Sequence, residues 1–283
     1  MANGSNTGWR PSASLAALKT RADILATIRS FFADREVLEV QTPVLGDGTI
    51  TDPDLEAIAV PGLGFLQTSP EYFQKRLLAA GVPDCYQLGP MFRADESGRL
   101  HHTEFTMLEW YRLGFNHHDL MQEVSTLVDA VLGESDYRTV RYRELVGDLQ
   151  RPRDELDLAF AEACEHLSGR VFITSYPADQ AALARLDPDD DSVSARFELV
   201  VDGVELANGY WELADAGEHR RRFQSDLEIR EKRGLPSKPI DELFLAALDS
   251  GLPDCSGVAL GVDRLVMKKL GATSIDEVLS FRG

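Results

Sequence analysis

Basic residues are the first shortage in this chain. Its 29 Lys and Arg stand against 47 Asp and Glu, a formal net charge of −18. Proteins devoted to nucleic acid neutralise phosphates with Lys and Arg. This balance argues against a large RNA footprint, and no stable nucleic-acid partner is expected. Cysteine is also scarce: Cys85, Cys164 and Cys255 are far apart, odd in number and form no CxxC pair. That argues against a disulfide framework or a structural zinc and fits a reducing cytoplasm. No apolar run reaches the ~18 residues of a membrane helix, and Met1 to Gly8 lack the basic and apolar regions of a secretory leader. A cytoplasmic protein without a membrane partner is therefore expected. The Gly-x-Gly-x-x-Gly and P-loop patterns of Rossmann and Walker nucleotide sites are missing too.

What remains is ordinary globular material, 283 residues with 43% hydrophobic and 27% charged, enough for a large core. No Pro/Gly/Ser-rich linker or internal repeat divides it, so one catalytic domain over 1–283 is expected. Apolar residues at spacings of three and four predict helices over 18–33, 118–132, 217–233 and 262–270, with shorter ones at 71–80, 153–167 and 177–185. Strands are expected at 37–40, 55–60, 65–68, 86–93, 105–112, 171–174, 197–201, 204–213 and 258–261. Asp202-Gly203 is a two-residue hairpin signal between two of them. Mostly antiparallel strands with helices around them make an α+β fold.

Two arginines occupy informative places. Arg93 leaves a strand for a polar loop, and Arg264 opens a helix directly after Gly257-Val258-Ala259-Leu260-Gly261-Val262-Asp263. A planar, permanent guanidinium suits a triphosphate, while Gly257 and Gly261 allow backbone to approach a flat ligand. On the Asp202-Gly203 hairpin, Val200 should face Glu205, with Glu198 two residues along the same face. Diagonal carboxylates repel unless a cation such as Mg²⁺ lies between them, or unless both simply face solvent. Asn208, Tyr210 and Glu212 share one face and suit an alkyl stem ending in an ammonium. Simple alternation puts that trio opposite Glu205; a bulge over 207–209 would reunite them, and Gly209 permits one. His101 and His102 are adjacent and must point different ways.

These residues converge on a family. FRADESGRLHHTEFTMLEWYR (92–112) resembles motif 2 of the class II aminoacyl-tRNA synthetases in its lysyl version. The stretch 37–45, ending Thr42-Pro43-Val44-Leu45, resembles motif 1, and GVALGVDRLVM (257–267) resembles motif 3. Thr68-Ser69-Pro70-Glu71, Phe197-Glu198 and the run 205–213 are similar to lysyl-branch elements. Lysyl-tRNA synthetases place an anticodon-binding domain ahead of motif 1, which here begins at Val37. Together with Trp9-Arg10-Pro11-Ser12-Ala13 and PDCSGVALG (253–261), this resembles the elongation factor P lysyltransferase family, truncated paralogues of those enzymes.

The resemblance implies a six- to seven-stranded, mostly antiparallel sheet flanked by helices, a homodimer formed through motif 1, and use of ATP with Mg²⁺. It implies adenylation of lysine, with (R)-β-lysine preferred, and transfer to the ε-amine of a lysine on elongation factor P. Glu71 would take the substrate's amino group, with Ser69 and Pro70 shaping that wall. Tyr111 and Glu212 would take the side-chain ammonium beside Asn208 and Tyr210, and Ala259 would form the pocket floor where lysyl synthetases have glycine. Arg93 would hold the α-phosphate, and Arg264 would flank adenine and reach the γ-phosphate. Ala94, Asp95, Glu96, His102, Leu206 and Gly261 would complete the ATP site, and Glu198 and Glu205 would carry Mg²⁺. The catalytic group would be Arg93, Arg264 and Glu205. The chain departs from the family at Asp95, where a glutamate is usual (Glu96 is next door), and at His102, where an asparagine is usual. Its 134–192 region is also shorter. Aminoacylation of a tRNA or another carrier, and a silent ligand-binding regulator, are the alternatives.

Overall fold

The computed structural model describes residues 9–94 and 96–282; Asp95, a candidate adenine contact, lies outside the described residues. Ser14 starts the first helix by accepting the Ala17 amide (3.1 Å). That helix, α1 (Leu15–Ala33), leads to β1 (Leu38–Glu39), β2 (Leu45–Gly46), β3 (Ala59–Val60) and β4 (Gly64–Leu66). Then come α2 (Glu71–Ala79), β5 (Cys85–Phe92), β6 (Glu104–Leu113), α3 (His117–Leu132), β7 (Tyr137–Arg141), α4 (Tyr142–Val146) and α5 (Arg153–Glu165). The rest is β8 (Arg170–Pro177), β9 (Val193–Val201), β10 (Val204–Trp211), α6 (Ala216–Lys232), α7 (Glu242–Gly251), β11 (Cys255–Gly261) and α8 (Val262–Leu270).

Eight strands form one sheet in the order β1-β5-β6-β11-β10-β9-β8-β7, and β2-β4-β3 form a small second sheet. The large sheet thus exceeds the expected six to seven strands. Its additional edge strand is β7, which runs parallel to β8. Tyr-Arg-Thr-Val-Arg is too polar to read as a strand, because as an edge it buries little. The other edge, β1 on β5, is also parallel, and the six inner strands are antiparallel. The helix expected over 177–185 is absent. A single 3-10 turn (Ala178–Gln180) is followed by Ala182 at φ 49° and a bridge from Ala184 to Glu212, and left-handed backbone ends a helix. The strand expected at 55–60 shrinks to Ala59–Val60. Helix α7, not anticipated, starts where Asp241 accepts the Phe244 amide (2.9 Å). No helix among the described residues is long and apolar enough to cross a membrane.

Strand alternation divides the sheet into a core face and a cavity face. Leu108 and Trp110 of β6, Leu199 of β9, and Val258 and Leu260 of β11 pack with Phe32, Val124, Leu127 and Val266 of α1, α3 and α8. Their alternates (Glu109 and Tyr111 of β6, Ala259 of β11) line the cavity. A second cluster, with Tyr72 stacked on Phe244 (4.2 Å) beside Phe223, joins α2 to α6 and α7.

The hairpin register carries the main local surprise. Val200 faces Glu205 as expected, but the pairing shifts between Glu205 and Ala207, so the bulge lies at Leu206 rather than over 207–209. Beyond it, Asn208 faces Glu198. The extra residue turns Glu205 onto the same face as Asn208, Tyr210 and Glu212. Gly209 serves the core instead, because a Cβ there would lie 2.4 Å from Phe197 Cζ. Gly209→Ala is expected to cost about 1–3 kcal/mol through overpacking, read as a lower urea midpoint at unchanged slope.

Candidate active site

A cavity of about 830 Å³ covers the face of β6, β9, β10 and β11, a volume suited to a nucleotide-sized ligand. Every described candidate residue borders it except Pro70 and Ala94. Pro70 caps α2, and the Ala94 amide donates to Glu56 O (2.8 Å), so both hold backbone in place.

One end of the cavity is acidic. Ser69 Oγ accepts the Glu71 amide (3.0 Å) at the start of α2 and donates to Glu109 Oε2 (2.7 Å). Tyr111 OH donates to the other Glu109 oxygen (2.8 Å). One helical turn beyond Glu71, Lys75 Nζ lies 2.5 Å from Glu71 Oε1 and 2.6 Å from Glu212 Oε2. Lys75, Glu109 and Glu212 are 0%, 3% and 1% exposed. Burial pushes the Glu109 carboxyl up to about 7, with the Glu71 charge adding to it and its two hydroxyl donors opposing. Burial also raises Glu212, against the pull of Lys75. Burial disfavours the Lys75 ammonium, but Glu212 and Glu71 outweigh it and hold Lys75 charged well above its ordinary range.

Neither Glu109 nor Lys75 was among the candidates. Alternation with Tyr111 in MLEWY, and the i+4 spacing from Glu71, are the signals that could have found them. Gly257, expected to admit a flat ligand, has another task. A Cβ there would lie 2.3 Å from Tyr111 Cε1 and 2.6 Å from Glu212 Oε1, so its bareness makes room for those side chains. Asn208 Oδ1 is buried without a hydrogen-bond partner among the described residues, as is Glu212 Oε1. Such acceptors call for a donor from a ligand.

The opposite end is cationic. Arg93 sits 5.0 Å over the Phe105 ring, with Nη1 3.3 Å from Glu96 Oε1 and Nε 3.4 Å from Thr68 O. Arg264 Nη1 donates to Glu205 O (3.0 Å) and approaches Glu205 Oε2 (3.3 Å). Its Nη2 lies 2.6 Å from His101 Nε2. Burial, then Arg264 itself, lowers the His101 pKa, so the ring is neutral and accepts from the guanidinium. His102 turns instead to Glu104 O (2.7 Å). Asp263, 2% exposed, accepts from Arg21 (2.5 Å) and from the Thr106 amide (2.7 Å), which locks the start of α8 to α1 and β6. His101 and Asp263 were not among the site candidates either, since two adjacent histidines in a polar loop read as surface for at least one of them.

Glu198 and Glu205 stand diagonally on this face. Glu198 is 7% exposed and paired with Arg196 Nη2 (2.6 Å). Burial raises its carboxyl to about 6, the Glu205 charge adds to that, and Arg196 opposes. Two neighbouring carboxylates of this kind could hold a divalent cation such as Mg²⁺.

A family model described as tRNA synthetases class II (D, K and N) matches residues 7–282. The chain belongs to the class II tRNA synthetase family. Among curated relatives, a Vibrio cholerae protein named elongation factor P--(R)-beta-lysine ligase is 41% identical over 317 residues, covering 98% of each chain. Proteins of the same name from Edwardsiella ictaluri and Yersinia pestis are 45% and 43% identical over 314 residues, covering 96% of this chain and 97% of theirs. In this class II chain Arg93 of motif 2 and Arg264 of motif 3 border one cavity together with Glu205, Asn208, Tyr210 and Glu212.

Proposed function

We propose that the chain is an ATP-dependent ligase that adenylates lysine, with (R)-β-lysine preferred, and transfers it to the ε-amine of a lysine on elongation factor P. The observation that carries this reading is the charge separation along one cavity. Partly exposed Glu71 and buried Glu109 and Glu212, with the orphaned Asn208 oxygen, suit a substrate bearing two ammonium groups. Arg93 and Arg264 stand where its carboxylate would meet a triphosphate. The names of the relatives supply the acceptor.

In this reading Glu71 takes the backbone amine and Ser69 holds Glu109 in place. Glu212 and Tyr111, with Asn208 and Tyr210, take the side-chain ammonium over Ala259. The substrate carboxylate is ionised at neutral pH and needs no general base to attack the α-phosphorus, with pyrophosphate leaving. Catalysis rests on in-line positioning and on the guanidiniums of Arg93 and Arg264, which neutralise growing phosphate charge. Glu198 and Glu205 would hold Mg²⁺, which offsets phosphate charge when bound. The acceptor amine, once deprotonated, attacks the acyl carbon; an amide forms and AMP leaves. A single catalytic domain, a homodimer through 37–45 and a cytoplasmic location complete the proposal.

The test is incubation of the purified protein with ATP, each lysine isomer and elongation factor P. A mass increase on one acceptor lysine is expected, larger with β-lysine. An acceptor that stays unmodified in an active preparation overturns the reading.

A further inference from the structure

Lys75 does not border the cavity, yet both carboxylates it touches do. It is fully buried on α2. The groups around its ammonium come from every neighbouring element. They are Glu71 on its own helix, Glu212 just past β10, Glu109 and Tyr111 on β6, His219 on α6, Cys255 on β11 and the Phe244 ring of α7 at 6.0 Å. Lys75 is the ammonium in that set that meets carboxylate oxygens directly. With substrate bound and all three carboxylates ionised, the one fixed ammonium leaves the pocket two negative charges. A lysine-like substrate brings two ammonium groups, its carboxylate being directed to the arginine end.

We propose that Lys75 is a positioning residue that sets the charge of the pocket: a built-in ammonium that aims Glu71 and Glu212 and cancels one of three carboxylates, so that the remainder matches a diamino acid. The inference rests on the lysine-activating reading above. A buried carboxylate pair deprived of its cation takes up protons instead of staying ionised. Without Lys75, substrate binding must first expel those protons, so it becomes strongly dependent on pH. A purely structural Lys75, pinning α2 to β10, would change stability and leave that dependence alone.

The experiment is lysine-dependent ATP–pyrophosphate exchange by wild type, Lys75→Met and the double variant Lys75→Met/Glu71→Gln, between pH 6 and 8.5. Lys75→Met is expected to raise the KM for lysine about 100-fold at neutral pH. The KM for ATP should change little, and the lysine KM should fall more steeply with rising pH than in wild type. The double variant has the wild-type pocket charge and lacks the uncompensated carboxylate, which also favours its folding. Its pH dependence should return to the wild-type slope. A Lys75→Met enzyme with wild-type lysine KM and slope overturns the proposal, as does a double variant no flatter than the single one. Absence of lysine-dependent exchange in the wild type overturns the functional reading itself, which separates the two failures.

Discussion

Arg264→Ala is expected to cut lysine-dependent ATP–pyrophosphate exchange about 10³-fold, the scale seen when one fixed donor is withdrawn from developing charge in a closed site. The guanidinium is held in advance by the Glu205 carbonyl, His101 and Leu100 O. It therefore needs no reorganisation when charge builds on phosphate. Leu100 and His101 lie on a loop, and the ion pair with Glu205 is partly in solvent, so removing it should leave the melting temperature nearly unchanged. Arg264→Lys should recover only part of the rate, because a point charge cannot reproduce the fork that meets two oxygens. Exchange in Arg264→Ala within tenfold of wild type would remove this residue from the chemistry.

Glu212→Gln is expected to act on the substrate rather than on the rate of reaction. Losing one partner of a buried charge pair costs about 3–5 kcal/mol, so the KM for lysine should rise by roughly 10²- to 10³-fold with little change in the KM for ATP. Its pH behaviour is fixed by sign. Burial raises Glu109 to about 7 and raises Glu212 as well, so the empty pocket carries protons near neutrality. An arriving ammonium favours the ionised forms and drives those protons off. The wild-type lysine KM should therefore fall as pH climbs from 6 toward 8, and Glu212→Gln should flatten that trend. The same shift acts on the fold. These carboxyls titrate above their unfolded values, so the empty protein loses stability as pH rises through their folded range, and bound lysine restores it. Thermal melts with and without lysine across this range would show a ligand shift that grows with pH; a constant shift would sink the idea.

Much of the catalytic face was legible because its chemistry sits in local strings. Arg93 follows a strand, Arg264 follows Gly261, and Asn208, Tyr210 and Glu212 keep strict alternation. What local strings could not reveal were the partners that lie far apart in the chain. Lys75 reads as the polar side of a short helix until Glu212 is folded onto it. Glu109, between Leu108 and Trp110, reads as an interruption of an apolar strand until Ser69 and Tyr111 are seen to hold it. A bulge was an open possibility over 207–209, and it lies at Leu206 instead; Gly209, credited with a backbone role, yields space to the Phe197 ring. Strand β7 was invisible for the opposite reason. It buries so little that its composition matches a loop, and only pairing with β8 makes it a strand.

The bulge at Leu206 divides β10 into two parts with independent phase. In the proposed function, Glu205 upstream of it serves the nucleotide, and Asn208, Tyr210 and Glu212 downstream serve the amino acid. Deleting Leu206 would leave both stretches paired to β9 yet rotate the first by half a strand period, turning its carboxylate into the core. The two stretches therefore hold separate registers on β9, while Gly209 and Glu212 are tied to the Phe197 ring and to Lys75. One inserted residue acts as the coupling between two otherwise separable instruments of the same enzyme.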